Sequence, residues 1–240
     1  MPAPLERPIR LIQSALCALW LWGLSAVMSS QAWAHGVASG DKGYIQEISG
    51  VHAVAFMYLG AKHMMTGYDH LLFLFGVIFF LYRLKDVTVY VTLFALGHVI
   101  TLLAGVLLEL HINVYVVDAI IGFSVAYKAL DNMGAYKRWF GREPNKKAST
   151  FLFGFIHGLG LAAKILEYDL PQQGMLANLL CFNLGVELGQ LLALGVMLIV
   201  LGFWRRARGF SKQAYAANTV MLMCGFLLIG YQLVGWATSP

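Results

Sequence analysis

VTVYVTLFALGHVITLLAGVLLEL, residues 87–110, carries no Asp, Glu, Lys or Arg before Glu109. Coiled as an α-helix at about 1.5 Å per residue, it is longer than the ~30 Å hydrocarbon layer of a bilayer. In lipid an irregular backbone leaves peptide groups unsatisfied, so the run reads as a membrane-spanning helix. One residue near its middle breaks the apolar character, His98, and Thr101 shares its helix face three residues on. An ionisable side chain at that depth costs roughly 2.5–3.5 kcal/mol, and such residues usually face the bundle interior and mark ion, proton or substrate paths.

The same pattern recurs along the chain. Apolar runs at about 67–84, 114–130, 150–166, 175–203 and 216–236 make six expected spans with the first. The 240 residues are 59% hydrophobic and only 12% charged, against about 25% charged in an average soluble domain. The expected fold is therefore an all-α integral membrane bundle of about six transmembrane helices. The net charge of +5 does not indicate nucleic acid, because the basic residues cluster between the apolar runs.

The N-terminus has the form of a secretory signal. Arg7 and Arg10 precede an apolar stretch at 11–27, and Ala32-Trp33-Ala34 supplies a small-x-small cleavage site. Cleavage would leave His35 first; the alternative is an uncleaved extra span. The expected division is a signal peptide at 1–34, an outer-facing segment at 35–66 and a transmembrane domain at 67–240. Arg83 and Lys85, then Lys128, Lys137, Arg138, Arg142, Lys146 and Lys147, then Arg205, Arg206, Arg208 and Lys212 fall in alternate connections. Connections 110–113 and 167–174 hold no Lys or Arg. This places the mature N-terminus outside, in the inner membrane of a bacterium, with Lys164 the one dissenter. Cys181 and Cys224 lie in separate spans, so no disulfide framework is implied.

The polar residues inside these spans carry the chemistry. His63-Met64-Met65-Thr66-Gly67-Tyr68-Asp69-His70 opens the first span, with Gly67 able to break the helix. Asp118 lies in the outer part of the third span and His157, flanked by Gly154, Gly158 and Gly160, in the fourth. Asn183, Glu187 and Gln190 follow i, i+4, i+7 in the fifth, as one polar stripe. Imidazole and carboxylate groups suit Ni²⁺, Co²⁺ or Zn²⁺. The expected metal ligands are His63, Asp69, His70, His98, Asp118, His157, Asn183, Glu187 and Gln190. By residue type and spacing alone they mark a divalent-metal or proton site.

Four blocks in order resemble the HupE/UreJ family of nickel-permease-like membrane proteins, in its broader branch. They are His63-x5-Asp69-His70 with Leu71-Leu72-Phe73, His98-x2-Thr101-Leu102, Phe155-Ile156-His157-Gly158-Leu159-Gly160, and Asn183-Leu184-Gly185-Val186-Glu187-Leu188-Gly189-Gln190. The third span has Asp118 where the family pattern leads one to expect Glu. The resemblance implies a Ni²⁺ or Co²⁺ path through a helical bundle, with the His-x5-Asp-His block at its entrance.

The leading functional expectation is a membrane permease for a divalent transition metal, nickel first. The expected partners are the metal ion and the lipid bilayer, with a homo-oligomer allowed. Two other classes stay open: an intramembrane metal-dependent hydrolase, and a metal sensor or assembly factor for a metalloenzyme. The first would keep a tightly bound metal and show no flux; the second would show neither flux nor turnover.

Overall fold

The computed structural model describes residues 50–167 and 173–239. The chain divides into two compact units, Met1–Ala34 and His35–Pro240. The first of these, with the expected signal peptide, lies outside the described residues, as do residues 35–49.

The described chain folds as α1 (Ala53–Thr66), α2 (Tyr68–Ile78), α3 (Leu84–Leu107), α4 (Val114–Asn132), α5 (Ala135–Phe140), α6 (Lys146–Leu166), α7 (Met175–Trp204) and α8 (Phe210–Thr238). No strand occurs among the described residues. Two helices, α4 and α6, start at side-chain caps. The Asn113 side chain accepts from Val116 N–H, and that of Asn145 from Lys147 and Ala148 N–H.

Four helices, α3, α6, α7 and α8, are long and apolar enough to cross a membrane. Much of their outer surface is exposed hydrocarbon. Leu188, Leu191, Leu192 and Ile199 on α7, and Phe226, Leu227 and Val234 on α8, all face outward. A soluble monomer does not expose apolar surface on that scale, whereas lipid covers it without cost. The chain is a helical membrane protein.

Three close helix pairs build the bundle: α3 with α6, α4 with α8, and α1 with α7. Glycine allows each approach. A Cβ on Gly97 would lie 2.5 Å from Phe151 O, and one on Gly105 would lie 2.5 Å from the Ala162 Cβ. Gly158 abuts the His98 carbonyl, and Gly60 and Gly185 bring α1 and α7 together at Phe182 and Met57. In lipid such small residues let backbones pack by van der Waals contact. Contact order shows α3 parallel to α6 and α1 parallel to α7, because later residues of one meet later residues of the other. Gly122 meets Ile229 and Gly225 meets Ala126, so α4 and α8 are antiparallel.

The first expected span, 67–84, takes a different form. Its helix, α2, has 11 residues, about 16 Å and roughly half a bilayer. It stops because its C-terminal carbonyls find side-chain donors. Arg205 donates to Ile78 O at 2.6 Å and Phe79 O at 2.7 Å, and Asn132 to Gly76 O at 2.9 Å. A guanidinium at a helix C-terminus also complements the dipole. The chain then turns over Phe79, which packs among Trp204, Phe80 and Phe210. The described part of the 35–66 segment contains α1, which packs along α7. Its start is tied to the start of α7, since His52 N–H donates to Asn178 Oδ1 and Asn178 Nδ2 donates to Gly50 O.

A candidate metal site at a broken helix

One residue, Gly67, separates α1 from α2. The break is tight. Gly67 N–H donates to His63 O and Leu71 N–H to Gly67 O, so the two halves almost continue one another. A Cβ on Gly67 would sit 3.2 Å from both His63 O and His70 Nδ1. The break turns His63, at the end of α1, and Asp69-His70, at the start of α2, towards one point. Asp69 stands in the first turn of α2, where its carboxylate offsets the positive end of the helix dipole.

Two further histidines reach the same point from the α3–α6 pair. The His70 ring centre lies 4.6 Å from that of His157, 5.4 Å from His63 and 5.8 Å from His98. All four imidazoles and Asp69 are buried. Phe73 and Phe94 close on His157 at 5.4 and 5.1 Å, and Phe182 lies 6.0 Å from His63. These rings keep water from the cluster and fix the imidazole planes.

Hydrogen bonds orient the ligands from behind. His157 Nδ1 lies 2.7 Å from Phe153 O. A carbonyl only accepts, so Nδ1 carries the proton and Nε2 of the neutral ring presents its lone pair. His70 Nδ1 lies 3.1 Å from Asp69 Oδ1, the carboxylate–imidazole pairing that steers metal-binding histidines. Thr101 donates to Phe155 O at 2.6 Å and so ties the helix of His98 to that of His157. The Nε2 atoms of His63, His98 and His157 are buried with no hydrogen-bond partner among the described residues. A buried polar atom left that way costs about 1–3 kcal/mol, a cost that a ligand would remove. As placed, no group of three or more His, Cys, Asp or Glu among the described residues could hold a metal ion together.

The other expected ligands lie elsewhere. Asp118 is engaged by Lys164, whose Nζ donates to Oδ2 at 2.7 Å. The same pair accounts for the lysine that dissented from the charge asymmetry, since Lys164 is buried rather than placed in a connection. Asn183 and Gln190 are buried on α7, and Phe182 beside Asn183 touches the His63 ring. Asn183 Nδ2 donates to Leu179 O, while its Oδ1 and Gln190 Nε2 have no partner among the described residues.

Glu187 departs from the expected stripe. It is exposed, next to exposed Leu184, Leu188 and Leu191. A helical stripe spanning i, i+4 and i+7 is wide enough for its middle member to fall on the margin. Here α7 turns Val186, Gly185 and Gly189 towards α1, which leaves Glu187 outside the contact.

Several residues that build the site gave weaker sequence signals. Phe73, Phe94, Phe153 and Phe182 look like ordinary span residues. Lys164 entered the sequence reading only as the dissenter from the charge pattern; its spacing of seven residues from His157, on the same helix face, was the signal that points to it.

A buried four-histidine cluster at a helix break, inside a bundle with an apolar exterior, defines a helical membrane protein with a buried polar site. Residues 39–240 match the model of the HupE / UreJ protein family. The chain belongs to that family. No curated protein and no solved structure gives a significant match to it.

Proposed function

We propose that this protein is a permease for a divalent transition metal, Ni²⁺ first and Co²⁺ second, with Zn²⁺ the next fit. One observation carries the reading: the partnerless, buried Nε2 atoms of His63, His98 and His157, gathered around His70 at a broken helix. Transport folds place their sites where helices are discontinuous near the middle of the membrane. Imidazole suits Ni²⁺, Co²⁺ and Zn²⁺, and neutral rings beside one carboxylate bind a dication without trapping it. Asp69, His70 and His157 are the core ligands, with His63 and His98 on either side.

The helix directions support six crossings, with α1 and α2 together making one and α3, α4, α6, α7 and α8 the others. Alternate crossings make α1 parallel to α7, α3 parallel to α6, and α4 antiparallel to α8, as the glycine contacts have them. The Lys and Arg distribution then orients the bundle with both mature termini outside, in a bacterial inner membrane, after removal of a signal at 1–34.

Full-length protein in proteoliposomes should accumulate nickel, and the His157→Ala variant at equal abundance should not. Uptake by that variant at the wild-type rate would overturn the reading. Stoichiometric tightly bound metal without flux would favour the hydrolase.

A further inference from the structure

The Asp118–Lys164 pair is buried beside the histidine cluster, joining α4 to the last turns of α6, and the cluster does not use it. Lys164 follows His157 by seven residues on α6, so it shares that face about 10 Å further along. That end of α6 is the end at which α4 begins and at which the 50–52 segment meets α7. It is the outer end in the topology above. The side chains of Lys164 and Asp118 are 9% and 3% exposed. Gly160, one turn from His157, makes room for the carboxylate: a Cβ there would lie 3.5 Å from Asp118 Oδ1 and 3.0 Å from the Ile121 side chain. The Asp118 carboxylate is also within electrostatic range of Asp69 in the cluster.

Lys164 has a second anion within range, Glu167, at the end of the same helix. The two are three residues apart and so share a helix face. Glu167 is exposed at the end of α6, whereas Asp118 is buried. A flexible lysine stem therefore has a buried carboxylate and a solvated one within range.

The geometry points to Lys164 as a tethered competitor of the transported cation: it occupies Asp118 while the path is empty, and an arriving divalent metal displaces it towards Glu167. This rests on the permease reading and adds how that site is regulated. The physical case is one of charge. A buried carboxylate stripped of its partner costs several kcal/mol unless a proton or another cation takes the partner's place. At equal distance a divalent ion attracts it twice as strongly as an ammonium. A monovalent ion gains no such advantage and does not dislodge the lysine. The exchange passes the metal inward to Asp69 and His70, and the returning lysine then lowers its affinity for Asp118. A buried pair kept only for stability could be replaced by packed apolar residues with no effect on metal binding.

The test is nickel chloride titration of the full-length protein in detergent, read as the apparent Kd. Lys164→Gln removes the competitor and should tighten Ni²⁺ binding by about tenfold. Glu167→Gln removes the outer resting place and should weaken it by several-fold. The Asp118→Asn/Lys164→Gln double variant should bind no more tightly than Asp118→Asn alone, because the competition needs the carboxylate. Unchanged or weaker binding by a monodisperse Lys164→Gln protein would overturn the inference. If that variant aggregates, wild-type affinity in Glu167→Gln overturns it just as well. Wild-type protein that binds no nickel would instead overturn the permease reading. Wild-type binding with indifferent variants would overturn only the role of Lys164.

Discussion

Substituting Gly158 by Ala tests the coupling between helix packing and the histidine cluster. The new Cβ would fall inside contact distance of both the His98 carbonyl and Thr101 Oγ1. Backbone cannot rotate away as a side chain can. Restoring an ordinary C···O contact of about 3.3 Å requires α3 and α6 to separate by on the order of 1 Å. Such overpacking costs about 1–3 kcal/mol. The separation also stretches the bond from Thr101 to Phe155 O, now 2.6 Å, a net loss of about 1 kcal/mol. The sum, about 2–4 kcal/mol, corresponds to a fall in thermal midpoint on the order of 5–15 °C for a chain of this size. Because His98 and His157 sit on the two separated helices, metal affinity should fall by about ten- to a hundredfold, as when the supports of a ligand are lost. Gly195→Ala is the control: no atom lies within 4 Å of its Cβ position, so its midpoint should stay or rise slightly. Thermal unfolding in detergent, followed by nickel titration, reads both effects. Gly158→Ala with the midpoint and Kd of Gly195→Ala would refute the argument.

Arg205→Ala removes two charge-assisted hydrogen bonds to the end of α2 and the stacking of its guanidinium 4.6 Å over Tyr82. Thermal unfolding should show a loss of about 2–4 kcal/mol, with Lys recovering only part because it lacks the fork. Glu187→Gln should leave nickel affinity within about twofold of wild type by titration, since the residue lies outside the cluster; a loss of about tenfold would return it to the ligand set. N-terminal sequencing of protein purified from membranes should begin at His35, and a chain still starting at Met1 would contradict the processing. Cysteine labelling from outside should reach the 167–174 connection and not 137–147, and the opposite pattern would reverse the topology.

The class of this protein was legible because lipid imposes strict local conditions. Each span must satisfy its own backbone hydrogen bonds and exclude charge, so the runs at 87–110, 150–166, 175–203 and 216–236 announce themselves without tertiary information. His63, Asp69, His70, His98 and His157 were equally visible, as ionisable groups in or beside apolar runs, where such residues are rare and usually mark a function. Convergence of the five on one point was not visible. It depends on Gly67 ending α1 and restarting the chain as α2, and on Gly154 and Gly158 bringing α6 against α3. The short length of α2 was hidden for a related reason: its stop is made by Arg205 and Asn132, more than fifty residues away, and Arg205 looks like an ordinary basic residue beside a membrane span. The fates of Asp118 and Glu187 also needed three dimensions. Periodicity locates a residue on its own helix but says nothing of which neighbour covers that face. Lys164 covers Asp118, and the turn of α7 onto α1 leaves Glu187 outside. Composition and spacing thus decided the solvent and which ionisable side chains lie in the spans. Only helix–helix packing decided which of them meet.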